Sequence, residues 1–89
     1  MDFTYEPNKI SLIENEKVLA QVTFPDMGPD TVEIDHTFVD DSLRGQGVAD
    51  KLLVSVVAEL KSRNKKAVPT CSYAVKWFEK HPEYGSLLE

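Results

Sequence analysis

With 89 residues and a net charge of −5, the chain has the length of one domain and the wrong sign of charge for a general nucleic-acid binder. Its 42% hydrophobic and 28% charged content fits a folded chain, not a disordered one. No apolar run approaches the roughly 20 residues that span a bilayer, the N-terminus lacks a signal-peptide core, and one cysteine excludes an internal disulfide or a cysteine-rich zinc site.

The expectation is a single domain over residues 1–89, with no membrane or nucleic-acid partner, no metal and a reducing, cytoplasmic setting. A chain of this size buries only about 60–65% of its unfolded surface, which implies a small core and modest stability. The closing Leu88-Glu89 is read as a cloning scar and set aside.

In chain order, residues 1–9 are polar and hold Pro7, leaving a short extended piece near Phe3 to Tyr5. Ile10 and Leu12 alternate with polar neighbours, Glu14-Asn15-Glu16 is a turn, and Val18, Ala20, Val22 and Phe24 alternate after it. This is the pattern of a hairpin with one buried face. Pro25 to Asp30 reads as a loop. Thr31 to Val39 reads as one unbroken third strand, with Val32, Ile34, His36 and Phe38 on one face and Glu33, Asp35 and Thr37 on the other.

A long amphipathic helix follows, with Val48, Leu52, Leu53, Val56, Val57 and Leu60 on one stripe. Lys61, Arg63, Lys65 and Lys66 cluster at its end. Ala67 to Thr70 reads as a short strand, whose connection through the helix implies parallel pairing. Ser72 to Lys80 is a second helix, with Ala74, Trp77, Phe78 and His81 on one face and Pro82 as its stop. No segment is repeated or of low complexity.

Between the third strand and the long helix lies Arg44-Gly45-Gln46-Gly47-Val48-Ala49. Two glycines permit a sharp turn, and free N–H groups at a helix start attract an anion. A pyrophosphate cradle is one reading; a tight strand-to-helix turn is the other. No Gly-Lys-Ser/Thr follows, so it is not a P-loop, and the third glycine of a dinucleotide fingerprint is missing.

The stretch resembles the acyl-CoA-binding motif of the GCN5-related N-acetyltransferases, Arg/Gln-x-x-Gly-x-Gly/Ala, with Arg44, Gly47 and Ala49 at its fixed positions. The run His36-Thr37-Phe38-Val39-Asp40-Asp41-Ser42-Leu43 before it and Val68-Pro69-Thr70-Cys71-Ser72-Tyr73 downstream look like the small, single-domain branch of that superfamily, over roughly residues 10–84. The resemblance implies an α+β (mixed α/β) chain with a truncated acyl-CoA N-acyltransferase fold. Antiparallel strands are followed by β-α-β-α around a central mixed sheet. The helices that follow the first strand in larger members, and the last strands of their sheet, have no counterpart here.

The same resemblance implies acetyl-CoA as co-substrate. Arg44, Gly45, Gln46, Gly47, Val48 and Ala49 would hold it, Phe38 and Val39 would line the acyl arm, and a strand N–H would polarise the thioester carbonyl. The basic residues at the end of the long helix then have two readings, compensation of the helix dipole or a landing place for the 3′-phosphate. Members of the family often carry Asn, then Ala three residues on, then Tyr four beyond. Those positions are Cys71, Ala74 and Phe78 here.

Cys71 therefore stands where a cofactor contact is usual, at a helix start, a setting in which thiols gain nucleophilic character. It either lines the acyl site or carries the acyl group. Phe78 has no proton to give a leaving thiolate; Tyr73 is a substitute donor or a packing residue. His36 is a structural strand residue or accepts the proton of the amine. Glu33 and Asp35 are solvated strand residues or bases acting through water. The expected function is acetyl-CoA-dependent N-acetylation of an amine, small molecule or protein, that the sequence does not name. The alternative is a CoA-binding or protein-interaction module with little turnover.

Overall fold

The computed structural model describes residues 2–89. The chain runs β1 (Thr4–Glu6), β2 (Lys9–Glu14), β3 (Lys17–Thr23), β4 (Thr31–Ile34), β5 (His36–Val39), α1 (Val48–Arg63), β6 (Lys66–Pro69) and α2 (Ser72–Lys80). Short 3₁₀ turns occupy Asp41–Leu43 and Pro82–Leu87. Strands β1, β2, β3 and β5 pair antiparallel in that order, and β4 pairs with β6 in parallel.

The β2–β3 hairpin closes through Asn15 and Glu16, both at positive φ, which suits a two-residue turn that follows the twist of the strands. Leu12 faces Ala20 but Ile13 faces Val18, so Leu19 is an extra residue. That bulge ends the alternation early: Ala20 and Val22 are buried, while Val18 is 39% exposed. The expected alternation from Val18 to Phe24 holds only from Ala20 onward.

Both helices contribute to one core. Ile10, Leu12, Ala20 and Val22 from the hairpin and Val32 and Ile34 from β4 meet the stripe Val48, Leu52, Leu53, Val56, Val57 and Leu60 of α1, and Ala74, Trp77 and Phe78 of α2 join them. The helical period read in the sequence follows from this one-sided burial. Asn64 ends α1 in the left-handed conformation, and the N–H of Lys65 reaches back to the Leu60 carbonyl (2.9 Å), the pattern of a Schellman stop.

The expected third strand is divided at Asp35. Between the pairs Val32–Asp26 and His36–Thr23, this strand advances four residues while its partner advances three. Asp35 is the additional residue, and its N–H reaches the Thr23 carbonyl at 3.3 Å, the acceptor side of the same partner that His36 faces. Because side chains alternate with period two, one inserted residue exchanges the faces beyond it. Val32 and Ile34 point into the core; past the bulge the inward positions are Thr37 and Val39, which lie opposite Val22 and Ala20. His36 and Phe38 therefore do not share the face of Val32 and Ile34. They stand on the outer face, opposite Thr23 and Gln21, and Phe38 is 40% exposed.

The division has a direct consequence for stability. Ile34→Ala should cost about 2–5 kcal/mol, as for other buried aliphatic truncations, whereas His36→Ala should stay within about 0.5 kcal/mol. Urea unfolding of the two variants measures the difference, and equal losses would place His36 back in the core.

Candidate functional site

Up to Ile34, the β4–β5 strand is paired on both edges. Its last link to β6 is the Ile34 carbonyl, which accepts from the N–H groups of both Thr70 (3.0 Å) and Cys71 (3.2 Å). Beyond that point β5 follows β3 while the chain after β6 turns into α2. A gap opens between them. The Asp40 N–H donates to Leu19 (2.7 Å), so the even-numbered backbone groups of β5 bond to β3. By the alternation of an antiparallel ladder, the N–H and C=O groups of Thr37 and Val39 face the gap instead.

The gap continues into a cavity of about 540 Å³. Thr37 and Val39 form its strand wall, Leu43 to Gly45 and Gly47 to Asp50 its loop and helix wall, and Tyr73 its far side. Gly45 (φ +80) and Gly47 (φ +71) sit in the left-handed region, and no heavy atom stands within 4 Å of where a Cβ would project at either. Glycine is needed here for backbone conformation, and the space beside it is open. Gly47 provides no side-chain cap, and the first intrahelical bond runs from Lys51 N–H to the Gly47 carbonyl (3.1 Å). The N–H groups of Val48, Ala49 and Asp50 thus have no acceptor within the helix and lie at the positive end of its dipole, beside the cavity.

The loop is shaped before any ligand arrives. The Asp40 carboxylate accepts from the backbone N–H (3.0 Å) and hydroxyl (2.7 Å) of Ser42, starting the 3₁₀ turn. The hydroxyl bond first, then the backbone bond, with Lys17 adding a smaller attraction, hold its carboxyl below the usual 3.8. Arg44 Nε donates to Asp41 at 2.8 Å on the open surface. Gln46 is exposed, and its amide reaches the Ser42 carbonyl at 3.5 Å.

On α2, Cys71 is the N-cap and partly buried. Its sulfur accepts from the Ala74 N–H (3.4 Å) and lies 3.5 Å from the Thr37 hydroxyl across the gap. Tyr73 is 39% exposed; partial burial, and then the Asp50 carboxylate, push its phenol above 10.0. Asp50 accepts from the Trp77 indole N–H at 2.7 Å. Phe78 is buried edge-on against Trp77.

Of the residues singled out in the sequence, Val39, Arg44, Gly45, Gly47, Val48, Ala49 and Tyr73 meet around the cavity. Cys71 adjoins it through Thr37. His36, Phe38 and Gln46 are not among its walls. Glu33 and Asp35 are occupied by the hydroxyls of Thr70 and Thr23. Thr37, Leu43 and Asp50 line the cavity without having been singled out. Thr37 could be reached only through the Asp35 bulge, and Asp50 only through the position of α2.

The basic cluster belongs elsewhere. Sixteen residues of helix separate the glycine loop from Arg63, about 24 Å at 1.5 Å per residue. Lys61 lies over the Tyr84 ring, Arg63 pairs with Glu59, Lys65 with Asp26, and Lys66 donates to the Ser86 carbonyl. These contacts fix the end of α1. Of the two readings of the cluster, these contacts support compensation of the helix end over a landing place for a phosphate.

A splayed strand pair thus leads to the bare N–H groups at the start of α1. Comparison with known proteins shows the family. Residues 9–87 match the GCN5-related N-acetyl-transferase family. Protein NATD1 of Xenopus tropicalis is 32% identical over 63 residues, which cover 71% of this chain and 58% of that protein. The solution structure of a GCN5-like protein from Staphylococcus aureus superposes with a TM-score of 0.83 at 32% identity, covering 99% of this chain and 87% of that one. The ribosomal-protein-S18-alanine N-acetyltransferase of Escherichia coli shares the fold at 21% identity, with a TM-score of 0.65 over 81% of this chain and 49% of its own. The chain belongs to the GCN5-related N-acetyltransferase superfamily.

The Asp40 cap makes a pH prediction. A carboxyl held below its unfolded value contributes stability that is complete above pH 3.8 and is lost as pH falls through the lowered native value. The Ser42 amide resonance should therefore titrate with a midpoint below 3.8, and the step should vanish in Asp40→Asn.

Proposed function

We propose that the chain transfers an acetyl group from acetyl-CoA to an amine. The observation that carries this reading is the continuity of the β5 gap with the unpaired N–H groups at the start of α1. One end can take a thioester and the other a pyrophosphate, and the open space beside Gly45 and Gly47 admits close approach of the phosphates. Backbone N–H groups of Thr37 or Val39 polarise the thioester carbonyl as charge develops on its oxygen. The amine nitrogen attacks the carbonyl carbon, the C–S bond breaks, and the sulfur of CoA leaves as a thiolate that takes a proton. Tyr73 is the phenol on the cavity wall and is kept protonated, so it serves as donor. His36 stands outside the gap, which leaves the amine proton to solvent. A cytoplasmic setting, where the Cys71 thiol stays reduced, belongs to the same reading.

For Cys71 the reading prefers a wall of the acyl site. The covalent alternative has the sulfur attack the thioester, release CoA and then pass the acetyl group to the amine. A second reading, a CoA-binding module with little turnover, draws on the buried Phe78, which leaves Tyr73 as the one phenol on the cavity wall among the described residues.

Titration with acetyl-CoA should shift amides at Gly45 to Ala49 and along Thr37 to Val39. Gly47→Val should abolish those shifts, with a folding cost of about 1–2 kcal/mol from its left-handed backbone. Shifts confined to the β2–β3 hairpin would overturn the site, and binding without acetylation across an amine panel would select the module.

Intact mass after incubation with acetyl-CoA alone separates the two acyl routes. With direct attack, Cys71→Ala keeps turnover within about tenfold, a loss of under 1.4 kcal/mol in transition-state binding. An added acetyl on Cys71 that discharges to amine as fast as turnover establishes the covalent route.

A further inference from the structure

Asp50 presents a problem for an anion cradle. Its carboxylate stands on the first turn of α1, on the wall of the same cavity as Gly45, Gly47 and the free N–H groups. A negative charge there opposes the phosphates that the helix start attracts. Its surroundings give it a fixed orientation. Oδ1 accepts the indole N–H of Trp77 at 2.7 Å, and Nε2 of His81 lies 3.7 Å from the same oxygen. Trp77 is itself held: it is 3% exposed, stacks on His81 at 4.2 Å and on Tyr84 at 5.5 Å, and its carbonyl is hydrogen-bonded by His81 Nδ1 at 2.8 Å.

We propose that Asp50 is an electrostatic counterweight in the phosphate cradle, and that Trp77 is a positioning residue that keeps its carboxylate drawn toward α2. The inference rests on the acetyl-CoA reading and adds the sign of one residue's effect on it. The bare helix start attracts the phosphates of CoA, and Asp50 opposes part of that attraction. The opposition is smallest while the indole N–H holds the carboxylate toward α2. Losing the indole frees the carboxylate to turn toward the phosphates, so binding weakens. Losing the charge strengthens binding, because asparagine is nearly isosteric and its amide oxygen still accepts the indole N–H.

This arrangement acts only on a ligand carrying phosphate. A thioester on pantetheine alone fills the strand gap but presents no anion to the cradle, so Asp50 leaves it unaffected. That difference separates a charge effect from a general change in packing. A carboxylate that instead bonded to the pantetheine arm would show the opposite sign and would affect both ligands.

The test measures dissociation constants for CoA and pantetheine, by calorimetry or amide shifts, in the full chain and in Asp50→Asn, Trp77→Phe and the double variant. Asp50→Asn should bind CoA about three- to tenfold more tightly, the size expected of one screened charge near a helix start, with pantetheine unchanged. Trp77→Phe should weaken CoA binding, and adding Asp50→Asn to it should restore the affinity. If Trp77→Phe does not fold, Asp50→Asn alone decides. Weaker or unchanged CoA binding by Asp50→Asn, or equal changes for both ligands, overturns the proposal while leaving the acetyl-CoA reading in place. Failure of the unaltered chain to bind CoA at residues 43–50 overturns both.

Discussion

The site depends on one inserted residue. The strand from Thr31 to Val39 must pair with β6 on one side and with the β3 line on the other, and Asp35 separates the part that does both from the part that does one. A bulge adds local twist and bends its strand, so the segment beyond it swings with β3 while the chain after β6 departs into α2. Without it the inward face of the strand beyond Ile34 would be His36 and Phe38. With it the inward pair is Thr37 and Val39, a small polar and a small apolar residue whose backbone groups are left unpaired. The opening is thus made by backbone geometry, and the side chains that border it are those narrow enough to leave room.

The second constraint is the aim of α1. Its N-terminus is useful only because the stripe from Val48 to Leu60 fixes the helix against the hairpin, and of that stripe only Val48 also borders the cavity. At the other end the Schellman stop, Lys61 over Tyr84 and the pairs made by Arg63 and Lys65 secure the axis. Exposed ion pairs of this kind are screened by solvent and salt, so they serve orientation more than stability. The hydrophobic stripe supplies the holding force, and the glycine loop receives a helix already pointed.

Helix α2 joins the two halves of the cavity through aromatic packing. Trp77, His81 and Tyr84 stack on one another, Phe78 meets Trp77 edge-on, and Trp77 reaches out of the cluster to Asp50 on α1. The same helix carries Cys71 as its N-cap and Tyr73 in its first turn, so the packing that seats Trp77 also sets where Tyr73 meets the cavity and where Cys71 meets Thr37. In a chain with so small a core, structural and functional contacts share residues. The Leu88 backbone alongside Ala67, with Glu89 N–H bonded to the Ala67 carbonyl, completes the outer edge of β6, an ordered contact from two residues that the sequence reading set aside.

The sequence by itself determined the order of elements, the buried stripe of α1, the aromatic face of α2 and the glycine loop as a helix start. Each of these is a local matter, governed by a period of two or 3.6 or by the φ range that glycine alone occupies readily. Tertiary structure decided which side of the third strand faces the cavity, because a bulge leaves no mark in composition: Val32, Ile34, His36 and Phe38 alternate in the sequence as if the strand were continuous. It also decided which groups the basic cluster meets, Tyr84, Glu59, Asp26 and Ser86, since a run of charges reads the same whatever packs beside it. And it decided that Asp50 and Trp77 meet, because a contact between two helices is fixed by how each packs on the sheet, a relation that neither segment encodes within itself.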